Sequence, residues 1–151
     1  MTKTDEEIYG KLAGYCAQSE KCVQDIEKKL KQTDLNETSQ QIILERLKAE
    51  RFIDEKRYSQ SFATDRFRFN QWGRIKIRYE LQQRGIADET CREALEMIDE
   101  EEYLSVLEQL LTRKKRSVKG VPNEVFQKLY RFAASKGFEI NLIVNILKRI
   151  I

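Results

Sequence analysis

Apolar residues recur along this chain at spacings of three and four positions, which is the period of one face of an α-helix. Breaks in the pattern are rare, because the chain has one proline, Pro122, and six glycines. Dipeptides that favour turns are also few. The pattern therefore predicts an all-α protein.

The ends of several helices can be placed from the residues that favour them. Asp54 and Asp88 are predicted N-caps, because a carboxylate accepts hydrogen bonds from the free N–H groups of a first turn. Pro122 is expected in a first helical turn. Gly85 and Gly137 are expected just past helix ends, where glycine adopts a left-handed conformation without steric cost. Two more helix starts are predicted from capping boxes: Thr4 with Glu7, and Thr38 with Gln41.

One arrangement of four apolar residues, at intervals of 5, 9 and 3 positions, occurs three times in the sequence. Its members are Leu30, Leu35, Leu44 and Leu47; Leu81, Ile86, Leu95 and Ile98; and Ala133, Phe138, Leu147 and Ile150. The register shifts by 51 residues and then by 52. A basic–Gly–apolar turn occupies the same place in the last two copies, at 84–86 and 136–138. We therefore predict a repeat of about fifty residues, each built from three helices.

The repeat divides the chain into three predicted units, at residues 1–53, 54–98 and 99–151. A unit of three helices buries little apolar surface alone, so neighbouring units are expected to pack against each other. We expect one cooperative body that is elongated and curved, with a concave face. Because the repeats supply their own packing partners, we expect a monomer.

The composition disfavours an enzyme and a metal protein. The chain has no histidine, the commonest general base near neutral pH and the commonest metal ligand. Its three cysteines, Cys16, Cys22 and Cys91, form no Cys-x-x-Cys pair, so we expect reduced thiols and neither a disulfide nor a zinc site. The N-terminus lacks the apolar core of a secretory signal, and no window has the roughly 20 apolar residues of a membrane span. We expect a soluble, cytoplasmic, non-enzymatic protein.

Positive charge is concentrated in the middle of the chain, although the net charge is only +3. Residues 56–84 contain eight basic and two acidic side chains. Arginine grips a phosphate or a carboxylate with a planar fork, and charges one helical turn apart point in one direction. The candidate contacts for an anionic partner are Lys56, Arg57, Arg66, Arg74, Lys76 and Arg78.

Two interpretations of this cluster stay open, namely a functional patch and an ordinary solvated helix face. Aromatic residues interleave the basic ones and could stack on bases. Their spacing favours burial instead, so Tyr58, Phe62 and Tyr79 are expected in the core. The acid-free run at 113–119 is interpreted as a solvated helix end or loop. Four further residues are also expected in the core: Phe52, Ile53, Ile75 and Leu81.

Two segments in the middle of the chain resemble the signature of the RecX family. The first, RFIDEKRY at 51–58, has paired acids, a basic residue and an aromatic residue that run into a helix, and Phe62 follows it. The second, WGRIKIRYEL at 72–81, leads into the Arg-Gly-Ile turn at 84–86. Asp-Glu stands where two aspartates are more usual in the family, a change that keeps both the charge and the capping. Together the segments cover about a quarter of the chain.

The resemblance implies tandem three-helix units, in agreement with the repeat found in the sequence. It also implies a protein that binds RecA, and in particular the RecA filament on single-stranded DNA. Such a protein limits the growth or the activity of the filament, along its groove or at its end. The resemblance implies no cofactor and no catalytic step, because the filament itself hydrolyses ATP.

Two other classes of function remain open from the sequence. A three-helix unit resembles a helix-turn-helix, so a DNA-binding protein is one alternative. The predicted third helices at 38–50 and 88–98 carry mixed and partly acidic faces, which disfavours that reading. The other alternative is a helical-repeat adaptor for acidic partner proteins. For the RecA-binding protein that the resemblance implies, the basic cluster suits contact with an acidic protein groove or with the DNA backbone through complementary charge.

Overall fold

A computed structural model describes residues 1–151 and consists of nine helices joined by short turns. The helices are α1 Lys3–Gln18, α2 Val23–Lys31, α3 Glu37–Ala49, α4 Glu55–Asn70, α5 Arg74–Gln83, α6 Asp88–Glu96, α7 Glu100–Lys115, α8 Pro122–Ser135 and α9 Ile140–Ile150. The all-α repeat fold predicted from the sequence is confirmed. None of the nine helices combines the length and the apolar character that crossing a membrane requires.

The helices pack in successive groups of three. In each group the third helix packs against both the first and the second, and the principal contacts between helices stay within the groups. Of the twelve repeated apolar positions, ten are buried, and only Leu35 and Ile150 are partly exposed. The proposed unit boundaries, after residues 53 and 98, fall in the turns between the groups.

Two separate apolar cores lie inside this arrangement. Nine buried residues from α1–α3 and the following turn form the first, which includes Ile26, Leu30 and Leu47. The second contains 23 buried residues, and it runs without interruption through α4–α9. Cys22, at the start of α2, belongs to this larger core although it lies in the first group. The second and third groups therefore share one core, and the first group has its own.

The predicted ends of the helices are partly right. The side chain of Asp54 caps α4 by accepting a hydrogen bond of 3.0 Å from the N–H of Arg57, and Pro122 is the first residue of α8. Gly85 and Gly137 lie past helix ends with φ of +78° and +94°, as predicted.

Three predicted N-caps are wrong. Thr2 caps α1 in a box with Asp5, and Asn36 caps α3, so Thr4 and Thr38 do not. In both cases a capping side chain two residues earlier lengthens the helix. Asp88 is the first helical residue of α6 and its side chain makes no cap.

The burial predicted for two apolar residues of α5 differs from the burial in the structure. Ile77 and Leu81 are fully buried, whereas Ile75 and Tyr79 are 55% and 57% exposed. Ile77 and Leu81 are one helical turn apart and share one face of α5, and Ile75 and Tyr79, also one turn apart, share the opposite face. Only one pair can face the core, and the burial of Ile75 and Tyr79 that we predicted is wrong.

Candidate anion-binding surface at a repeat junction

The second and third groups of helices meet at the start of α5. Gly73, the N-cap residue, has no side chain to satisfy the free N–H groups of the first turn. Residues of the third group satisfy them instead. The N–H of Gly73 donates to the carbonyl of Lys136 (2.8 Å), and the N–H of Ile75 donates to the carbonyl of Gly137 (3.0 Å). The third group thus caps a helix of the second.

This junction leaves no room for a side chain at two glycines. A Cβ atom at Gly73 would lie 2.4 Å from the backbone of Gly137, and one at Gly137 would lie 2.3 Å from Cβ of Lys76. Neither contact is possible without displacing the backbone. The two glycines therefore set the distance between α5 and the turn that precedes α9.

Arg74 completes the junction with a cluster of charged and aromatic groups. Its guanidinium forms ion pairs with Glu139 (2.7 Å) and with Glu100, and it lies 3.8 Å from the centre of the Tyr103 ring. The hydroxyl of Tyr103 donates to Glu139 and accepts a hydrogen bond of 2.9 Å from the N–H of Arg74. Burial, and then the bond to Glu139, raise the pKa of Tyr103 above its usual range. Arg74, 22% exposed, is engaged inside the protein.

The other predicted contact residues occupy three different places. Arg57 forms an ion pair with Glu20 of the first group (2.6 Å), and Lys56 is exposed beside it without a partner. Arg78 is exposed and lies 3.9 Å from Asp88. The structure brings Arg66 and Lys76 to one aromatic ring, whereas Arg74 and Arg78 line a separate cleft in which Glu96 and Asp99 supply negative charge.

Arg66 and Lys76 meet at the ring of Trp72. The guanidinium carbon of Arg66 lies 5.3 Å, and the ammonium nitrogen of Lys76 4.6 Å, from the ring. Lys136, from the turn between α8 and α9, lies close enough to Lys76 for the two charges to repel each other, and it donates to the carbonyl of Asn70 (2.8 Å). We name these four residues, Arg66, Trp72, Lys76 and Lys136, the Trp72 surface.

The positive charge of the Trp72 surface is not neutralised within the chain. None of its three cations forms an ion pair, whereas the nearby Arg74 and Arg84 both do. Burial, and then repulsion by Lys76, lower the pKa of Lys136. An anion bound between the two lysines would remove this repulsion, so the surface suits a carboxylate or a phosphate.

The junction between the first and second groups is built differently. Cys22 stands there where Gly73 stands in the second group, and its N–H donates to Asp25 of its own helix (3.0 Å) rather than to the next group. The carboxyl of Glu55 lies against the N–H of Val23, and burial raises the pKa of Glu55. A cleft of about 400 Å³, lined by charges of both signs, remains between the two groups.

Sequence reasoning missed Tyr103, Glu139 and Lys136. The sequence does contain a signal for Tyr103, because the motif Asp-Glu-x-x-Tyr occurs at 54–58 and again at 99–103, so Tyr103 corresponds to Tyr58. Asp99 caps α7 as Asp54 caps α4, by accepting from the N–H three residues on. No group of three or more metal-ligating side chains is arranged to hold a metal ion.

The fold defines a protein of tandem three-helix repeats, and comparison with known proteins identifies its family. The sequence models of the second and the third three-helix domain of RecX match residues 54–95 and 100–147. The regulatory protein RecX of Prosthecochloris aestuarii is 30% identical over 128 residues, which cover 83% of this chain and 82% of that protein. The chain belongs to the RecX family, as the resemblance of its two segments predicted.

Other relatives are longer than this chain. The regulatory protein RecX of Clostridium botulinum strain Alaska E43 is 34% identical over 105 residues, which cover 68% of this chain and 49% of that protein. The chain thus spans about half the length of the first clostridial relatives it matches.

Solved structures share the fold. The crystal structure of RecX from Lactobacillus salivarius superposes with a TM-score of 0.85 at 20% identity and covers 96% of this chain and 95% of that one. A second RecX crystal structure gives a TM-score of 0.83 at 24% identity, covering 95% of this chain and 71% of the other.

Proposed function

We propose that this chain is a non-enzymatic, cytoplasmic regulator that binds RecA and RecA filaments on single-stranded DNA, and that it mainly inhibits the recombinase. Membership of the RecX family supports the proposal, since the relatives bear the name regulatory protein RecX. The observation that carries it is the Trp72 surface, where three cations lie together without a carboxylate partner.

The proposed contacts follow from the positions of the six predicted residues. Arg66 and Lys76 face an anionic group of the filament, with Lys136 as a third cation. Lys56, Arg57 and Arg78 are proposed as outer contacts, because each is exposed. Arg74 acts by positioning in this proposal, because its ion pairs hold the junction that places Lys76 beside Lys136. Complementary charge of this kind raises association rates and fixes orientation.

A binding measurement tests the proposal. Fluorescence anisotropy of the labelled chain would be followed with RecA alone, with RecA filaments on single-stranded DNA, and with single-stranded and duplex DNA alone. We expect saturable binding to the filament, and binding weaker by about tenfold or more after Arg66→Glu with Lys76→Glu. The matched control is Lys11→Glu with Lys28→Glu, which changes the net charge equally at two exposed lysines of the first group.

Two results would overturn the proposal. Absence of binding to RecA and to its filament would remove the partner. Steeply salt-dependent binding to duplex DNA without RecA would indicate a DNA-binding protein instead.

A further inference from the structure

The outward face of α5 carries apolar side chains that the fold does not use. Ile75 and Tyr79, one helical turn apart, are 55% and 57% exposed. Ile77 and Leu81 are fully buried on the opposite face and supply the contact of this helix with the core. Scattered exposed apolar residues are normal, but two on one turn form a continuous strip.

A third exposed apolar residue lies at the start of the neighbouring helix α9. Ile140, the first residue of α9, is 57% exposed. It lies three residues beyond Gly137, whose carbonyl accepts the hydrogen bond from the N–H of Ile75 (3.0 Å). The start of α9 therefore lies beside the first turn of α5, and exposed apolar side chains are present on both sides of the junction between the second and third groups.

Unneutralised positive charge accompanies the strip. Lys76 lies next to Ile75 in sequence, and Lys136 precedes Gly137 by one residue. Neither lysine forms an ion pair, and the carboxylates nearest in sequence, Glu80 and Glu139, are engaged by Arg84 and Arg74. An apolar strip with cations at its side matches a ligand that carries both apolar groups and negative charge.

The surrounding side chains favour a protein over a nucleic acid as this ligand. The ring of Trp72 is already covered by the cations of Arg66 and Lys76, so it offers no free platform on which a base could stack. Ile75 and Ile140 are aliphatic, and they contact apolar side chains better than bases. A helix with apolar residues one turn apart is a common occupant of such a surface.

We propose that the outward face of α5, formed by Ile75, Lys76 and Tyr79 with Lys136 and Ile140 beside them, docks an acidic, amphipathic segment of a partner protein. Carboxylates of the segment pair with the two lysines, and its apolar side chains cover Ile75 and Tyr79. The partner is RecA in so far as the proposed function holds, whereas the chemistry of the docking site is independent of that identity.

An NMR titration that needs no RecA tests the docking site. The isotope-labelled chain would be titrated with a helical peptide that carries leucines one turn apart between glutamates. A second titration would use the same peptide with lysines in place of the glutamates, and a third a single-stranded oligothymidylate. We expect the acidic peptide alone to shift the amide signals of Ile75, Lys76, Tyr79 and Ile140 with a saturable dependence.

Variants identify the groups responsible. Ile75→Ser with Tyr79→Ser changes exposed positions only, and we expect it to weaken peptide binding by about tenfold or more. Met97→Ser with Val121→Ser removes two other exposed apolar side chains and should leave binding unchanged. The proposal is overturned if the two variants bind the acidic peptide with equal affinity, or if the peptide shifts amide signals of another surface only. Stronger shifts of the same signals by oligothymidylate would assign the face to nucleic acid instead.

The same variants separate this inference from the proposed function. If the unsubstituted chain fails to bind RecA but binds the acidic peptide on α5, the docking site stands and RecA is excluded as its occupant. Suppose instead that the chain binds RecA, that the peptide shifts no amide signals of α5, and that Ile75→Ser with Tyr79→Ser leaves RecA binding unchanged. The proposed function then stands and the docking site is wrong.

Discussion

Gly73 lies against the backbone of Gly137 so closely that a Cβ atom on Gly73 would be 2.4 Å from it, and Gly137 in turn has no room for a Cβ atom because it lies against Lys76. Gly73 opens α5 in the second group of helices, and Gly137 lies in the turn before α9 in the third. Hydrogen bonds from Gly73 and Ile75 to this turn cap α5 from outside its own group. The contact joins two units of the repeat into one body and brings Lys136 beside Lys76.

Substitution at this contact should be costly. We expect Gly137→Ala to lower the free energy of unfolding by about 3 kcal/mol or more, because the new Cβ would lie 2.3 Å from Cβ of Lys76 in a backbone conformation that disfavours alanine. Gly85→Ala is the matched control, since Gly85 also has a positive φ but meets only the flexible end of Gln24. Its cost should be about 1 kcal/mol. Urea unfolding measures both, and equal costs would contradict the close contact.

The cluster at Arg74 should contribute to stability more than the exposed ion pairs. We expect Arg74→Met to cost about 1–2 kcal/mol, because Glu139 is left half-buried without its partner. Arg92→Met, which removes two exposed pairs within α6, should cost less than about 1 kcal/mol. A double-mutant cycle with Glu139→Gln measures the coupling to Arg74. A coupling energy near zero would show that the Arg74–Glu139 ion pair does not contribute to stability.

The carboxyl of Glu55, at the junction of the first and second groups of helices, should make the stability of the protein depend on pH. Burial raises its pKa in the folded protein, so the ionised form is less favoured there than in the unfolded chain. The stability that this group contributes is present at acidic pH and is lost as the pH rises through its raised pKa. We therefore expect Glu55→Gln to stabilise the protein at pH 7 relative to the unsubstituted chain.

This advantage should shrink as the pH falls towards 4.5, the ordinary pKa of a glutamate. Urea unfolding at several pH values measures the difference, with the exposed Glu7→Gln as control. An advantage that stays constant with pH would contradict the buried carboxyl.

The two cores predict unequal stability along the chain. The first group has its own core of nine buried residues, whereas α4–α9 share one of 23. Smaller cores bury less apolar surface, so the first group should open without the rest. We expect the amides of α2 and α3 to exchange with deuterium at least about tenfold faster than those of α6 and α9 under native conditions. Uniform protection over all nine helices would indicate a single cooperative unit.

The sequence predicts the helices and the repeat because both depend on local periodicity. Leu81, Ile86, Leu95 and Ile98 are buried at the spacing that defined the repeat. The Asp54 cap and the glycine turns were also predictable, because each depends on residues within one turn. The misplaced caps of α1 and α3 show the limit of such rules, since several polar residues near a helix start compete to cap it.

The candidate site could not be predicted in the same way. Arg74, Lys76 and Arg78 follow one another on α5, yet they face an internal ion cluster, the Trp72 ring and Asp88, respectively. The surroundings of Arg74 and Lys76 depend on Glu139 and Lys136, respectively, which lie more than fifty residues away in sequence. Exposure of Ile75 and Tyr79 likewise depends on which of two apolar pairs turns inward. Charge counting located the basic region but not the surface within it.

Hydrolysis of ATP by RecA tests the proposed function most directly. RecA of the same bacterium would be assembled on single-stranded DNA, and its ATPase rate would be measured while this chain is titrated from sub-stoichiometric amounts. We expect the rate to fall, with about tenfold more protein required after Arg66→Glu with Lys76→Glu than after the control Lys11→Glu with Lys28→Glu. An unchanged rate at equimolar, folded protein would contradict a role in regulating RecA.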